Sequence, residues 1–306
     1  MTEPDASSPE PTPVVKPLMQ VHNDAHLDDP LMVVALDGWI DAGTAAATAM
    51  ATIRDQIGAT LLATFDSDVF IDYRARRPTM HIRDGVNTGL TWPEIVMHYG
   101  KEPNGRDVIV LSGPEPDAQW FAFTAAVRSL AVKLGVAQLI GLGAYPIAVP
   151  HTRPSMVSCT AGSADQAIAS GLTRSSVDVP AGVAAALERS FSDMGIPSLG
   201  IWAQVPHYAA AMAYPGAAFA LVETLNSLVG TGFVAEPLRI QAGEQRVRLD
   251  QLVAQSQEHL TMLHQLEVAY DEAVAEQSPL TAPGEPLPSG DELAAELEKF
   301  LRDQDS

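Results

Sequence analysis

The apolar positions of this chain fall into two kinds of run. Residues 31–36, Leu-Met-Val-Val-Ala-Leu, are apolar without a break, which suits a strand buried on both faces. Runs of the same character recur at 60–65, 107–112, 137–143 and 198–205. Between them lie helix-prone stretches: an alanine-rich piece at 44–50, a second at about 119–134, and a third leading to about residue 229. Thr44 stands where the first of these needs an N-cap. Strand, glycine-containing turn and helix make the opening of a βα unit. Its repetition predicts an α/β fold with a mainly parallel central sheet and helices on both faces.

The two ends read differently. Residues 1–17 are rich in Pro, Ser, Glu and Asp, a composition that predicts a disordered acidic tail and lacks the apolar segment of a secretory signal. The α/β core domain is expected over 18–243. Residues 244–277 contain no proline and no glycine, so one long helix is expected there. Leu249, Leu263 and Tyr270 share one heptad position with Ser256 between them, and Leu252 and Leu266 share the other with His259 between. Such a seam packs on the core or on a partner subunit. Residues 278–288 form a proline-rich linker, after which Ser289 and Glu292 have capping-box spacing. Leu293, Leu297, Phe300 and Leu301 then make the apolar face of a short terminal helix that docks on this chain or another. The fold thus carries a C-terminal helical appendage.

Charge narrows the functions open to the core. The 306 residues carry 38 Asp and Glu against 18 Lys and Arg, a formal net charge of −20. That balance disfavours nucleic acid and anionic membrane surfaces as partners. No run approaches the roughly 20 apolar residues of a membrane span, so a cytoplasmic protein is expected. The single cysteine, Cys159, excludes an internal disulfide and reads as a buried, inert thiol. No metal is expected. His22 and His26 run into Asp28, Asp29 and Pro30, and His259 and His264 are five apart, off a common helical face. No phosphate-binding glycine loop, dinucleotide fingerprint or Gly-x-Ser-x-Gly elbow is present, and no cofactor is expected.

Candidate chemistry lies just after the strands. In a parallel sheet those positions share one edge, where ligands bind. The segment after the first strand supplies Asp37, Trp39 and Asp41. Residues 113–117 supply Glu115 and Asp117, residues 150–154 supply His151 and Arg153, and residues 206–208 supply His207 and Tyr208. Arg76, from the cluster Arg74, Arg76 and Arg77, joins them as a fork for carboxylate or phosphate. The same arginines equally suit pairing with the abundant acidic side chains.

Several of these segments carry a resemblance. Gly38-Trp-Ile-Asp-Ala-Gly43, Phe65-Asp-Ser-Asp68, Asp72-Tyr-Arg-Ala-Arg-Arg-Pro78, Gly113-Pro-Glu-Pro-Asp117, Pro150-His-Thr-Arg-Pro154, Val205-Pro-His-Tyr208 and Leu266-Glu-Val-Ala-Tyr-Asp271 together resemble the actinobacterial branch of the proteasome assembly chaperone 2 family. The resemblance runs from about Leu31 to Asp271. It implies a fold like that of nucleoside phosphorylases and related hydrolases, and self-association, with a trimer as one candidate assembly. In eukaryotic and archaeal relatives it also implies binding to proteasome α-subunits, often through a C-terminal hydrophobic-Tyr-x motif. This chain departs there, ending Asp303-Gln-Asp-Ser306.

Three readings follow. The first is a proteasome-assembly-chaperone-like protein acting through protein–protein contacts, with no catalysis expected. The alternative is a small-ligand-binding protein, or a hydrolase- or phosphorylase-like enzyme, using the crevice at the strand ends. In the third, the same loops only hold the subunits of a homo-oligomer together.

Overall fold

A strand apolar on both sides is stable only with layers above and below it. The computed structural model, which describes residues 17–277 apart from Trp39, puts such strands at the centre of one sheet. Residues 1–16 of the expected tail, the linker, the terminal helix and candidate Trp39 lie outside the described residues.

The chain begins with β1 (Met19–Val21) and β2 (Leu31–Asp37), followed by α1 (Ala45–Gln56), β3 (Thr60–Phe65) and the short α2 (Ser67–Phe70). Next come β4 (Thr79–Arg83), β5 (Val86–Thr91), β6 (Val96–Lys101) and β7 (Asp107–Pro114). Then follow α3 (Trp120–Lys133), β8 (Gln138–Ile147), β9 (Val157–Ala161), α4 (Ala164–Ala169), α5 (Val183–Ser192) and β10 (Ser198–Pro206). The described part closes with α6 (Pro215–Val229), α7 (Glu236–Val253) and α8 (Gln257–Gln277).

Among the described residues, eight strands form one sheet in the order β1-β3-β6-β7-β2-β8-β10-β9. The four central ones, β7, β2, β8 and β10, are mutually parallel. The flanking joints, β6 to β7, β3 to β6, β1 to β3 and β9 to β10, are antiparallel. β4 and β5 pair only with each other, as a separate hairpin. The expected mixed α/β architecture with a mostly parallel centre is therefore present, with antiparallel strands closing both edges.

β2 shows why the centre holds. Leu31 and Val33 join the core cluster that includes residues of α1 and α6. Met32 and Val34 join the cluster that includes residues of α3 and α5. All four are fully buried. In the second layer the rings of Phe65, Phe70 and Phe123 pack together, with centroids 4.7–6.1 Å apart.

Helix α1 is capped differently from the sequence expectation. Thr44 occupies the N-cap position in a left-handed conformation and makes no side-chain cap. The Asp41 carboxylate instead accepts the N–H groups of Ala46 (2.8 Å) and Ala47 (2.9 Å). A carboxylate at a helix N-terminus satisfies free donors and faces the positive end of the helix dipole. Asp41→Ala is expected to cost about 1–2 kcal/mol of stability, read from urea denaturation.

The helix expected over 244–277 is two helices. α7 begins earlier, at Glu236, and ends at Val253, and α8 starts at Gln257. Ser256 is the hinge: its Oγ accepts the N–H of His259 and its carbonyl that of Leu260. It acts as an N-cap rather than as a member of a continuous seam.

Two carboxylates tie down the end of the sheet away from the strand-end loops. Asp107 accepts from Lys101 Nζ at 2.6 Å and from the Asp28 N–H at 2.9 Å. Glu102 accepts the N–H groups of Arg106 (3.1 Å) and Gly232 (2.8 Å). Burial pushes both carboxyls up, but these bonds outweigh it, so both sit below their ordinary values of 3.8 and 4.5. A depressed carboxyl stabilises the fold fully above its unfolded pKa, and that stability is lost as pH falls through the folded value. Unfolding free energy is therefore expected to fall on acidification below about pH 4.5, with a shallower slope in Asp107→Asn.

Candidate functional site

Because β7, β2, β8 and β10 are adjacent and parallel, the segments following them stand side by side along the carboxyl edge of the sheet. The predicted loops do share that rim. Their side chains enter two networks, one after β7 and β2 and one after β8 and β10.

The first network centres on Asp117. Its N–H donates to the Phe70 carbonyl at 2.8 Å, and its carboxylate accepts the Asp72 N–H at 2.9 Å and Arg76 Nε at 3.0 Å. One aspartate thus shapes the turn that carries the arginines. The Glu115 N–H donates to the Asp37 carbonyl at 2.7 Å, joining the two rim segments. The Glu115 carboxylate accepts the N–H of Val183, the first residue of α5, which places an anion at a helix N-terminus. A Cβ at Gly38 would fall 2.5 Å from Glu115 Oε2 and 3.2 Å from Arg76 Nη2, so only glycine lets these groups close over the backbone. Partial burial raises the Asp37 carboxyl against the opposing pull of Arg76. Burial also raises that of Asp41, which caps α1 and makes a parallel bridge to Ala144 in β8.

The second network centres on His151, whose side chain is fully buried. The Tyr208 hydroxyl accepts the His151 backbone N–H at 2.8 Å and lies 2.8 Å from Nδ1. Nε2 lies 3.1 Å from Asp250 Oδ1 on α7. One proton arrangement satisfies all three contacts: the phenol donates to Nδ1, and Nε2–H donates to Asp250. Burial pushes the Tyr208 phenol up to about 12, so it keeps its proton throughout the neutral range. His207 is exposed and meets the network only through an edge-to-face contact with the Tyr208 ring, centroids 5.3 Å apart.

Arg153 extends this network to α8. Its Nε and Nη2 donate to the two oxygens of Asp271, both at 2.8 Å, and Nη1 donates to Glu267 at 3.2 Å. The Tyr270 hydroxyl donates to the Pro154 carbonyl at 2.9 Å, and Thr152 donates to Glu267. The 150–154 loop is thereby clamped to both C-terminal helices. Asp250, Glu267, Tyr270 and Asp271 are absent from the sequence-derived candidate set. For three of them a signal exists in the 266–271 segment, whose tyrosine and carboxylates have a partner only when the distant His-Thr-Arg loop arrives.

Chemically, three of the rim's candidate side chains are taken up by internal contacts. Both ring nitrogens of His151 are engaged, the Arg153 fork is filled by carboxylates, and Arg76 is paired with Asp117. Among the described residues no group of three or more His, Cys, Asp or Glu side chains could hold a metal ion. Two cavities, one lined by residues 171–176 and the other including Gln138, Gln166, Pro197 and Ser198, contain no rim residue. Among the described residues no helix is long and apolar enough to cross a membrane.

Residues 35–253 match the model of the PAC2 family. The chain belongs to the PAC2 family. The matched span runs from within β2 to the last residue of α7, so it holds every rim candidate and Asp250, while α8 lies beyond it. Solved structures from actinobacteria are similar over most of this PAC2 protein. A Mycobacterium tuberculosis protein of unknown function is 32% identical with a TM-score of 0.78, covering 88% of this chain and 94% of its own. A Corynebacterium glutamicum protein of unknown function is 28% identical with a TM-score of 0.80, covering 85% and 98%. A Mycobacterium tuberculosis proteasome-assembly chaperone homologue is 31% identical with a TM-score of 0.71, covering 77% and 99%. No curated protein matches the chain.

Proposed function

We propose that this PAC2 protein is a chaperone-like assembly factor that self-associates and works through protein–protein contacts in the cytoplasm. The observation that carries this reading is the state of the rim. Its buried histidine and its most heavily engaged arginine, His151 and Arg153, are spent on holding loops and helices of the chain itself. A site built for a small substrate keeps its polar groups free to converge on it. The description of the 31% identical Mycobacterium tuberculosis relative as a proteasome-assembly chaperone homologue supports the same reading and makes proteasome subunits the first partners to test.

Affinity capture of the tagged protein from its native cytosol, beside a parallel incubation with purified proteasome α-subunits, tests the proposal. A stoichiometric partner other than the bait is expected. Recovery of bait alone in both experiments counts against it. A thermal-shift screen with millimolar nucleosides, phosphates and carboxylates addresses the ligand reading, because a ligand that binds only the native state must raise its stability. No shift is expected.

A further inference from the structure

We propose that the sheet face formed by β8, β9 and β10 beside α5 is a binding site for a guanidinium group, with Trp202 as its stacking platform and Glu188 as its counter-charge. The site lies apart from the two rim networks and goes beyond the assembly role argued above.

These three strands have two unlike faces. Side chains alternate along a strand, and Ile140, Leu142, Cys159, Leu199, Ile201 and Ala203 enter the core cluster shared with α1 and α6. The alternate positions turn to the α5 side. There the second core cluster takes Leu139 from β8 and nothing from β9 or β10. In register across that face stand Tyr145, Ser158, Thr160, Trp202 and Gln204 instead. A central strand of a parallel sheet is ordinarily apolar on both faces, so packing does not account for this polar half. Thr160 is exposed, and Tyr145, Ser158, Glu188 and Trp202 are half-buried. Solvent therefore reaches the face.

Glycine makes its floor. A Cβ at Gly143 would fall 2.3 Å from Cε3 and Cζ3 of the Trp202 indole. One at Gly200 would fall 2.5 Å from Thr160 Oγ1 and 2.9 Å from Glu188 Oε2. The indole thus lies close against β8, and the Glu188 carboxylate reaches over β10. Trp202 Nε1 donates to Thr160 Oγ1 at 3.2 Å, and that hydroxyl donates to Glu188 Oε2 at 2.7 Å. Gln204 Nε2 donates to the Tyr145 hydroxyl at 3.2 Å, which lies 3.3 Å from Ser158 Oγ.

What these bonds leave over defines the ligand. Gln204 is 7% exposed, and its Oε1 is buried without a hydrogen-bond partner. A buried acceptor left unpaired is costly, and a donor entering beside it would satisfy it. Glu188 is held by two neutral donors, the Thr160 hydroxyl and the Gly200 N–H. Among the described residues no Lys, Arg or His forms a salt bridge with it. Burial raises its carboxyl above the ordinary value of 4.5. The indole N–H is spent, so Trp202 offers its ring. An unpaired carboxyl, an amide oxygen and an aromatic surface repel phosphate and carboxylate ligands and suit a planar, donor-rich cation. A guanidinium stacks on the ring, matches the carboxylate with its fork and keeps N–H groups for the amide. An ammonium supplies the charge without the plane.

Isothermal titration calorimetry of the full chain tests this with the methyl esters of arginine, lysine and citrulline, and with a peptide bearing one central arginine. The arginine ester is expected to bind at least about fivefold more tightly than the lysine ester, and the citrulline ester, which lacks the side-chain charge, to give no heat. Glu188→Gln is expected to weaken arginine-ester binding at least about tenfold, and Trp202→Leu about threefold or more. The ester comparison uses the wild-type chain, so it stands even where a variant fails to fold. A peptide that binds more tightly than the ester identifies the ligand as an arginine of a partner protein, and equal or weaker binding identifies a free small molecule. No heat from the arginine ester, or equal affinity for the lysine ester, overturns the site. So does a folded Glu188→Gln variant that binds as the wild type does.

Discussion

Gly113→Val is expected to destabilise the protein by about 4 kcal/mol or more, the largest effect of any single substitution considered. Gly113 lies just past the buried part of β7 with φ at +123°, where a β-branched residue is strained. The space is also closed. A Cβ there would lie 2.2 Å from the Glu94 carbonyl oxygen and 3.0 Å from Ile95 Cα. Both are backbone atoms at the entrance to β6, so relief requires moving a strand rather than a side chain. Domains are stable by only about 5–15 kcal/mol, and the variant is expected to lose its cooperative thermal transition near physiological temperature. Gly58→Ala separates strain from clash. Its φ is +61° with nothing within 4 Å of the added Cβ, and it is expected to cost only about 1–2 kcal/mol.

His151→Ala is expected to cost about 2–4 kcal/mol. It removes a fully buried side chain and leaves Asp250 and the Tyr208 hydroxyl each short of one partner. Tyr208→Phe keeps the ring but strands the His151 N–H and Nδ1, and about 1–3 kcal/mol is expected. The three residues act through one set of bonds, so the two effects should fail to add. A double-mutant cycle by urea denaturation is expected to give a coupling of at least about 0.5 kcal/mol. Additive losses would show that His151 packs without linking the loops. Because Gln245 also bonds the Ala213 carbonyl and Leu249 is buried on the core, α7 should stay docked and far-UV circular dichroism should change little.

The parts of the fold written most clearly in the sequence are those that burial dictates. Residues 31–36 and 107–112 read as strands because nothing polar interrupts them, and two buried apolar strands near Gly-containing turns already imply a parallel centre. β6 escapes such a reading because His98, Tyr99, Gly100 and Lys101 break its apolar pattern. Gly100 is there for space, since a Cβ would fall 2.0 Å from the Ile57 carbonyl. β4 and β5 give no signal of burial because they are not buried within this chain. The single long helix fails for a different reason. Neither Pro nor Gly marks the break after Val253, and the one local cue, Ser256, reads equally well as a polar interruption in a seam. What makes the break useful is tertiary: it turns Glu267 and Asp271 toward Arg153. The rim follows from topology alone, whereas pairing partners more than a hundred residues away, such as Asp271 for Arg153, cannot be assigned without coordinates.

The clamp on the 150–154 loop has a consequence for synthesis. Every strand described above has been translated once residue 206 is made, yet the cation and imidazole above β8 acquire their carboxylate partners only when residues 250–271 follow. During that interval the nascent sheet is complete while its crown is chemically open. A chain cut between α6 and α7 would keep every described strand but lose the carboxylate partners of His151 and Arg153 and the core side chains Leu238 and Leu249.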